Sequence, residues 1–147
     1  MNKQNLELAR RAVACVPAGH WPEGTRLFGP FGTLGQPCRI WNVEDDKVQL
    51  EAGAASSWYR KDGLGDFLPD LSDPATIGCL LHLVREAWGD PLAWVECTNR
   101  FFAYDDRGTG CGARAWVVHI NTPPHPTRIP ADTDIEALVT ALEAADE

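Results

Sequence analysis

The stretch from Asp73 to Gly89 constrains the fold more tightly than any other part of the chain. Ser72 and Asp73 offer a capping side chain, and Pro74 brings the fixed φ of a first helical position. Behind them Ile77, Leu80, Leu81, Val84 and Trp88 recur at helical intervals on one face, and Gly89 stands where a helix end favours left-handed backbone. A helix with so continuous an apolar stripe must be covered by other elements, so it belongs to a core. Gly78 in its interior costs about 1 kcal/mol against alanine, which leads us to expect a close backbone approach there.

Two further helices are expected. One runs over Asn5–Val16, with Leu6, Ala9, Val13 and Val16 on one side and Pro17 and Gly19 as stops. The other covers Thr133–Ala145, where Thr133 and Glu136 fit a capping box and Ile135, Leu138, Val139 and Leu142 form the stripe. A short strand near Arg26–Phe28 precedes a hairpin: Cys38–Val43, the turn Glu44-Asp45-Asp46, then Val48, Leu50 and Ala52 alternating with Lys47, Gln49 and Glu51. Residues 53–72 carry no sustained period and read as a long connection that is functional or hides a short element. Strands are expected at Leu92–Cys97, Arg100–Tyr104 and Ala113–Ile120, with Thr98-Asn99 as a tight hairpin and a longer glycine-rich one at 105–112. Thr122-Pro-Pro-His-Pro126 breaks regular structure. The order is α-β-β-α-β-β-β-α: an α+β fold, one domain over 1–147, with a largely antiparallel sheet of about five strands and helices packed on it. At 147 residues and 44% hydrophobic content the chain can bury a core without a metal or disulfide staple.

Charge narrows the partners. Thirteen Lys and Arg stand against 21 Asp and Glu, a formal net charge of −8. Neutralising phosphates takes clustered cations, so the balance argues against nucleic acid and suggests solubility or attraction to a basic protein surface. The carboxylates are too sparse for a DNA mimic. Five cysteines at irregular spacing form no disulfide framework. The opening Met1-Asn-Lys-Gln-Asn-Leu-Glu7 is too polar for an export signal, and no apolar run approaches the roughly twenty residues of a membrane span. The expectation is reduced thiols in a cytoplasm.

Two segments carry a likeness. Asp73-Pro-Ala-Thr-Ile-Gly-Cys-Leu-Leu-His-Leu-Val-Arg-Glu-Ala-Trp-Gly-Asp-Pro91 and Glu136-Ala-Leu-Val-Thr-Ala-Leu-Glu-Ala-Ala145 together resemble a group of small uncharacterised proteins of tailed bacteriophages and prophages. The likeness covers roughly the C-terminal half and leaves out the 38–52 hairpin. That group has no assigned catalytic residues, so no roles carry over. The resemblance implies an accessory gene product working in bacterial cytoplasm, a class that often inhibits host defence or other host proteins.

No set of residues carries a catalytic signature. Gly108-Thr-Gly-Cys-Gly112 could aim backbone N–H groups at a phosphate, but phosphate loops join a strand to a helix and this one joins two strands. Cys111 with His119 or His125 lacks a recognisable nucleophile context, and Cys97, Cys111, His119 and His125 lack the close pairs of a zinc knuckle. His82 and Glu86 are read as a surface pair. Asp62, Asp66, Asp70 and Asp73 lack the rhythm of a calcium loop. No metal, cofactor or catalytic residue is therefore assigned. Trp58, Tyr59, Arg60 and Lys61 combine aromatic rings with cations in the manner of a protein hot spot, and Phe28 and Phe31 invite the same comparison. The reading is a protein that binds a host protein, with a small-molecule or nucleotide-sequestering module as the alternative, and a cysteine enzyme behind both.

Overall fold

In the computed structural model the described residues are 2–29, 37–98, 102–104, 110–112, 115–123 and 126–146, with backbone alone at 102–104 and 110–112. Phe31 lies outside them. The chain divides into two compact units, Met1–Leu83 and Val84–Glu147. Strand pairing is antiparallel throughout, and helices accompany it in both units, which makes the fold α+β.

The first unit is organised by its turns. Helix α1 (Lys3–Cys15) starts where the Asn2 side chain accepts from the Asn5 N–H. Its buried residues are Leu8, Ala9 and Ala12, while Leu6, Val13 and Val16 are half-buried at the margin, so the contact face is rotated from the expected stripe. The two alanines let the helix approach the sheet closely. Strands β1 (Arg26–Phe28), β2 (Cys38–Val43) and β3 (Lys47–Ala52) fall where expected. The connection after them hides two elements: β4 (Ala55–Arg60), and β5 (Leu68–Pro69) after a 3-10 turn at Lys61–Leu64. Gly53 has φ +61°, the left-handed backbone that a two-residue hairpin needs, and Ala52 pairs with Ala55 across it. The sheet order is β4-β3-β2-β1-β5, a meander extended on its far side when β5 pairs back onto β1. Leu27, Cys38, Ile40, Val48 and Leu50 bury one face, and Trp21, Leu64 and Leu71 are also fully enclosed.

Helix α2 (Pro74–Trp88) begins and ends as expected. Asp73 accepts from the Thr76 N–H at 3.0 Å, and at the other end Gly89 (φ +63°) donates to the Glu86 carbonyl and Asp90 to that of Arg85. Those two bonds are a Schellman cap. Gly78 corrects the expectation of close approach: it is exposed, and a Cβ there would meet nothing within 4 Å.

In the second unit β9 (Ala115–Ile120) is the apolar centre, flanked by β6 (Trp94–Thr98) and β10 (Thr127–Ala131) in the order β10-β9-β6. The expected hairpin at Thr98-Asn99 turns through residues outside the described set, and within that set β6 pairs with β9. Val117, Val118 and Ile120 of β9 are buried, and among the described residues β7 (Phe102–Tyr104) pairs with β8 (Gly110–Gly112) as a two-stranded sheet. Helix α3 (Asp134–Ala145) packs on β9 and β10, capped by the Thr133 hydroxyl accepting from Glu136 N–H. Its buried residues are Ala137, Leu138, Val139, Ala141 and Leu142. No helix among the described residues is long and apolar enough to cross a membrane.

Candidate functional site

The outward face of the five-stranded sheet departs from regular pleating at one point. Ile40 pairs with Leu50 and Asn42 with Gln49, so Trp41 is the extra residue of a β-bulge. A bulge places two neighbouring side chains where a regular strand would place one and is a recurrent way to re-aim a side chain at a site. Here it leaves Trp41 58% exposed, beside an exposed Asn42, while Ile40 stays buried. Asn42 begins a polar ladder across three strands: its Nδ2 donates to Gln49 Oε1 at 2.7 Å, and Gln49 Nε2 donates to Ser56 Oγ at 3.2 Å. Directly opposite Gln49 stands Trp58, 44% exposed, with the Lys47 ammonium 4.9 Å from its ring centroid. Two indoles thus flank a row of amides and a hydroxyl. That mix of aromatic area and adaptable hydrogen bonding is what protein recognition uses.

Cations collect on this face. Arg26 lies opposite Arg39, and Lys47 opposite Arg60. Like charges in such positions repel unless neutralised, and each is held by a carboxylate: Arg26 by Asp70 (3.6 Å), Arg39 by Asp73 (3.1 Å), Lys47 by Glu44 (3.3 Å) and Arg60 by Asp62 (3.7 Å). The Arg39 anchor is the most elaborate. Its Nη1 donates to Asp73 Oδ2 and its Nη2 to Oδ1 at 3.2 Å, while Nη1 also donates to the Gly24 carbonyl at 2.6 Å. Thr76 donates to Asp73 Oδ2 through both its N–H and its hydroxyl, and that hydroxyl accepts from the Arg26 N–H at 2.8 Å. The Arg39 hydrogen bond, first among several, holds the Asp73 carboxyl below its ordinary range, and the same pairing pushes Arg39 up. Cap, arginine and strand are thereby locked together, and Arg39 is fixed beside Trp41.

Two open depressions lie on either side of Trp41. One, of about 360 Å³, is lined by Arg26, Arg39, Trp41 and Glu51; the other, of about 460 Å³, by Glu23, Gly24, Ile40 and Asn42 as well as Arg39 and Trp41.

No family model, curated protein or solved structure matches the chain.

The expected site residues divide. Trp58 and Arg60 face outward on β4, Arg60 exposed at its end. Tyr59 points to the other face, half-buried, its ring 6.3 Å from that of Phe67. Lys61 is half-buried at the 3-10 turn, where its backbone lies against Gly19 and its N–H donates to the Asp46 carbonyl. Phe28 is half-buried on β1, beyond β2 and β3 from β4. Trp41 escaped the sequence reading. The signal for it was an aromatic at an outward position of an otherwise alternating strand.

The discounted clusters find other uses. Asp70 accepts from the Ser72 N–H and hydroxyl, Asp73 caps α2, and no group of three metal-binding side chains occurs among the described residues. His125 and the Cys111 side chain lie outside the described set. His119 stacks on Trp94 (4.6 Å between centroids, 13° between planes), with its Nε2 2.8 Å from Glu96 Oε1. Cys38 and Cys79 are buried, and that burial pushes both thiols up, away from the thiolate a nucleophile requires.

Proposed function

We propose that this chain is a binding protein rather than an enzyme, and that it engages a protein partner through the outward face of β2, β3 and β4. The observation that carries the reading is the bulge, which holds Trp41 58% exposed beside an anchored arginine. A large apolar ring left in water costs free energy that partner contact recovers, and Trp and Arg dominate interface energetics. The resemblance of the 73–91 and 136–145 segments to phage proteins supplies the setting: a host protein in bacterial cytoplasm, with defence machinery the class that such accessory products inhibit. The depressions beside Trp41 are open, whereas a small ligand is usually enclosed over most of its surface. The Arg39 fork is already filled by Asp73, which weighs against the nucleotide-sequestering alternative.

The test is capture from bacterial lysate by the full chain and by a Trp41→Ala/Trp58→Ala variant. The reading expects a reproducible partner retained by the parent chain and lost by the variant. Equal retention by both proteins, or none by either, contradicts it.

A further inference from the structure

The strand carrying Trp58 ends the sheet, and its free edge has a readable chemistry. The two-residue turn makes Ala52 and Ala55 a doubly hydrogen-bonded pair, so Ser57 and Tyr59 bond β3 in their turn while Ser56, Trp58 and Arg60 aim N–H and C=O groups away from the sheet. The Lys61 N–H donating to Asp46 continues the same parity. Among the described residues no strand takes these groups. Native edges are usually blunted by proline, a bulge, shortness or an inward charge. The opposite edge of this sheet obeys, since β5 is two residues long and contains Pro69. Strand β4 has only the charge of Arg60 at its last residue: it is six residues long, pairs in unbroken register, and holds no proline.

Its outward side chains specify an occupant. Between Ala52 and Lys61 the sequence has two cations and no carboxylate. The pairs Arg60 with Asp62 and Lys47 with Glu44 stand in solvent, where an ion pair is weak and a partner's carboxylate can replace the present one. Lys47 and Arg60 stand opposite one another on the same face. Ser56 accepts from Gln49, which leaves its hydroxyl hydrogen directed to no acceptor among the described residues. We infer that β4 is a docking edge for an extended acidic segment of the partner, which adds antiparallel with a carboxylate opposite Arg60, an apolar side chain opposite Trp58 and an acceptor opposite Ser56. Backbone bonds to the three outward residues hold the segment, and the alternate side chains select it. This rests on the outward face being the interface and adds the partner's chemistry.

The probe is a fluorescein-labelled synthetic peptide, Ser-Glu-Thr-Val-Thr-Glu-Ser, read by anisotropy against the full chain. In the inferred register its valine N–H faces β4 and its threonine N–H groups face away. Binding should therefore vanish on N-methylation of the valine and survive N-methylation of the second threonine. Arg60→Glu should weaken the peptide about three- to ten-fold, and a lysine in place of its first glutamate should restore binding to that variant. Absence of binding, or equal loss with either N-methyl group, overturns the inference. If lysate capture still depends on Trp41 and Trp58, only the acidic strand falls and the interface stands. Sedimentation of the chain alone should give a monomer. A dimer that Ser56→Pro dissolves would assign the edge to a second copy and overturn the acidic segment.

Discussion

Asp73 shows how much one side chain can hold in this molecule. It caps α2, receives both Arg39 nitrogens and meets the Thr76 hydroxyl, so Asp73→Ala removes a cap and strands a half-buried guanidinium. We expect a loss of about 2–3 kcal/mol in urea unfolding. The carboxyl titrates below its unfolded value. Its contribution is therefore complete above the unfolded carboxylate range, near about pH 4, and disappears as pH falls through the lower folded value. Stability measured between pH 5 and the acid transition, both as approximate bounds, should fall less steeply in Asp73→Asn than in the parent. The tryptophans divide by role. Trp21 is fully buried and bonds the Val16 carbonyl through its Nε1, so Trp21→Ala should cost about 3–5 kcal/mol. Trp41→Ala, on an exposed ring, should change stability by less than about 0.5 kcal/mol. A large loss at Trp41 would make that ring a packing residue instead.

Among the elements, the two ends of α2 were legible, because cap and terminal glycine are local signals. Its buried face is rotated from the expected stripe: Cys79 and Leu83 are buried with Leu80 and Val84, and Ile77, Leu81 and Trp88 are half-buried. Gly78 within it is a further misreading. With open space around it, Gly78→Ala should stabilise the chain by about 0.5–1 kcal/mol in thermal or urea unfolding, by relieving a helix-interior glycine. The β2–β3 hairpin could be read because its buried face alternates. Strand β4 could not, since five of its six residues are exposed and an edge strand lit from both sides has no apolar period. Strand β10 escaped for a related reason: Pro130 discourages a strand reading, yet an edge tolerates it. The pairing of β6 with β9 depends on which strand is apolar enough to sit centrally, a contest among distant segments that spacing cannot decide.

At the scale of the whole molecule, composition and surface tell different stories. A net charge of −8 pointed to a basic partner, while pairing register gathers Arg26, Arg39, Lys47 and Arg60 on one sheet face, each beside a carboxylate. A register is a long-range property, so this gathering of ion pairs was invisible in the sequence. Of the proposed face, Trp58 and Arg60 stood out in the sequence as an aromatic–cation mixture, whereas the bulge that presents Trp41 shifts the side-chain phase without any change of composition. Among the described residues three tryptophans are exposed, Trp41 and Trp58 on the first sheet and Trp94 on the second. They allow the central claim to be measured residue by residue. Photochemical oxidation of the indoles, read by mass spectrometry with and without the captured partner, should show Trp41 and Trp58 protected in the complex and Trp94 oxidised equally in both. Protection of Trp94 with Trp41 and Trp58 unchanged would contradict the account.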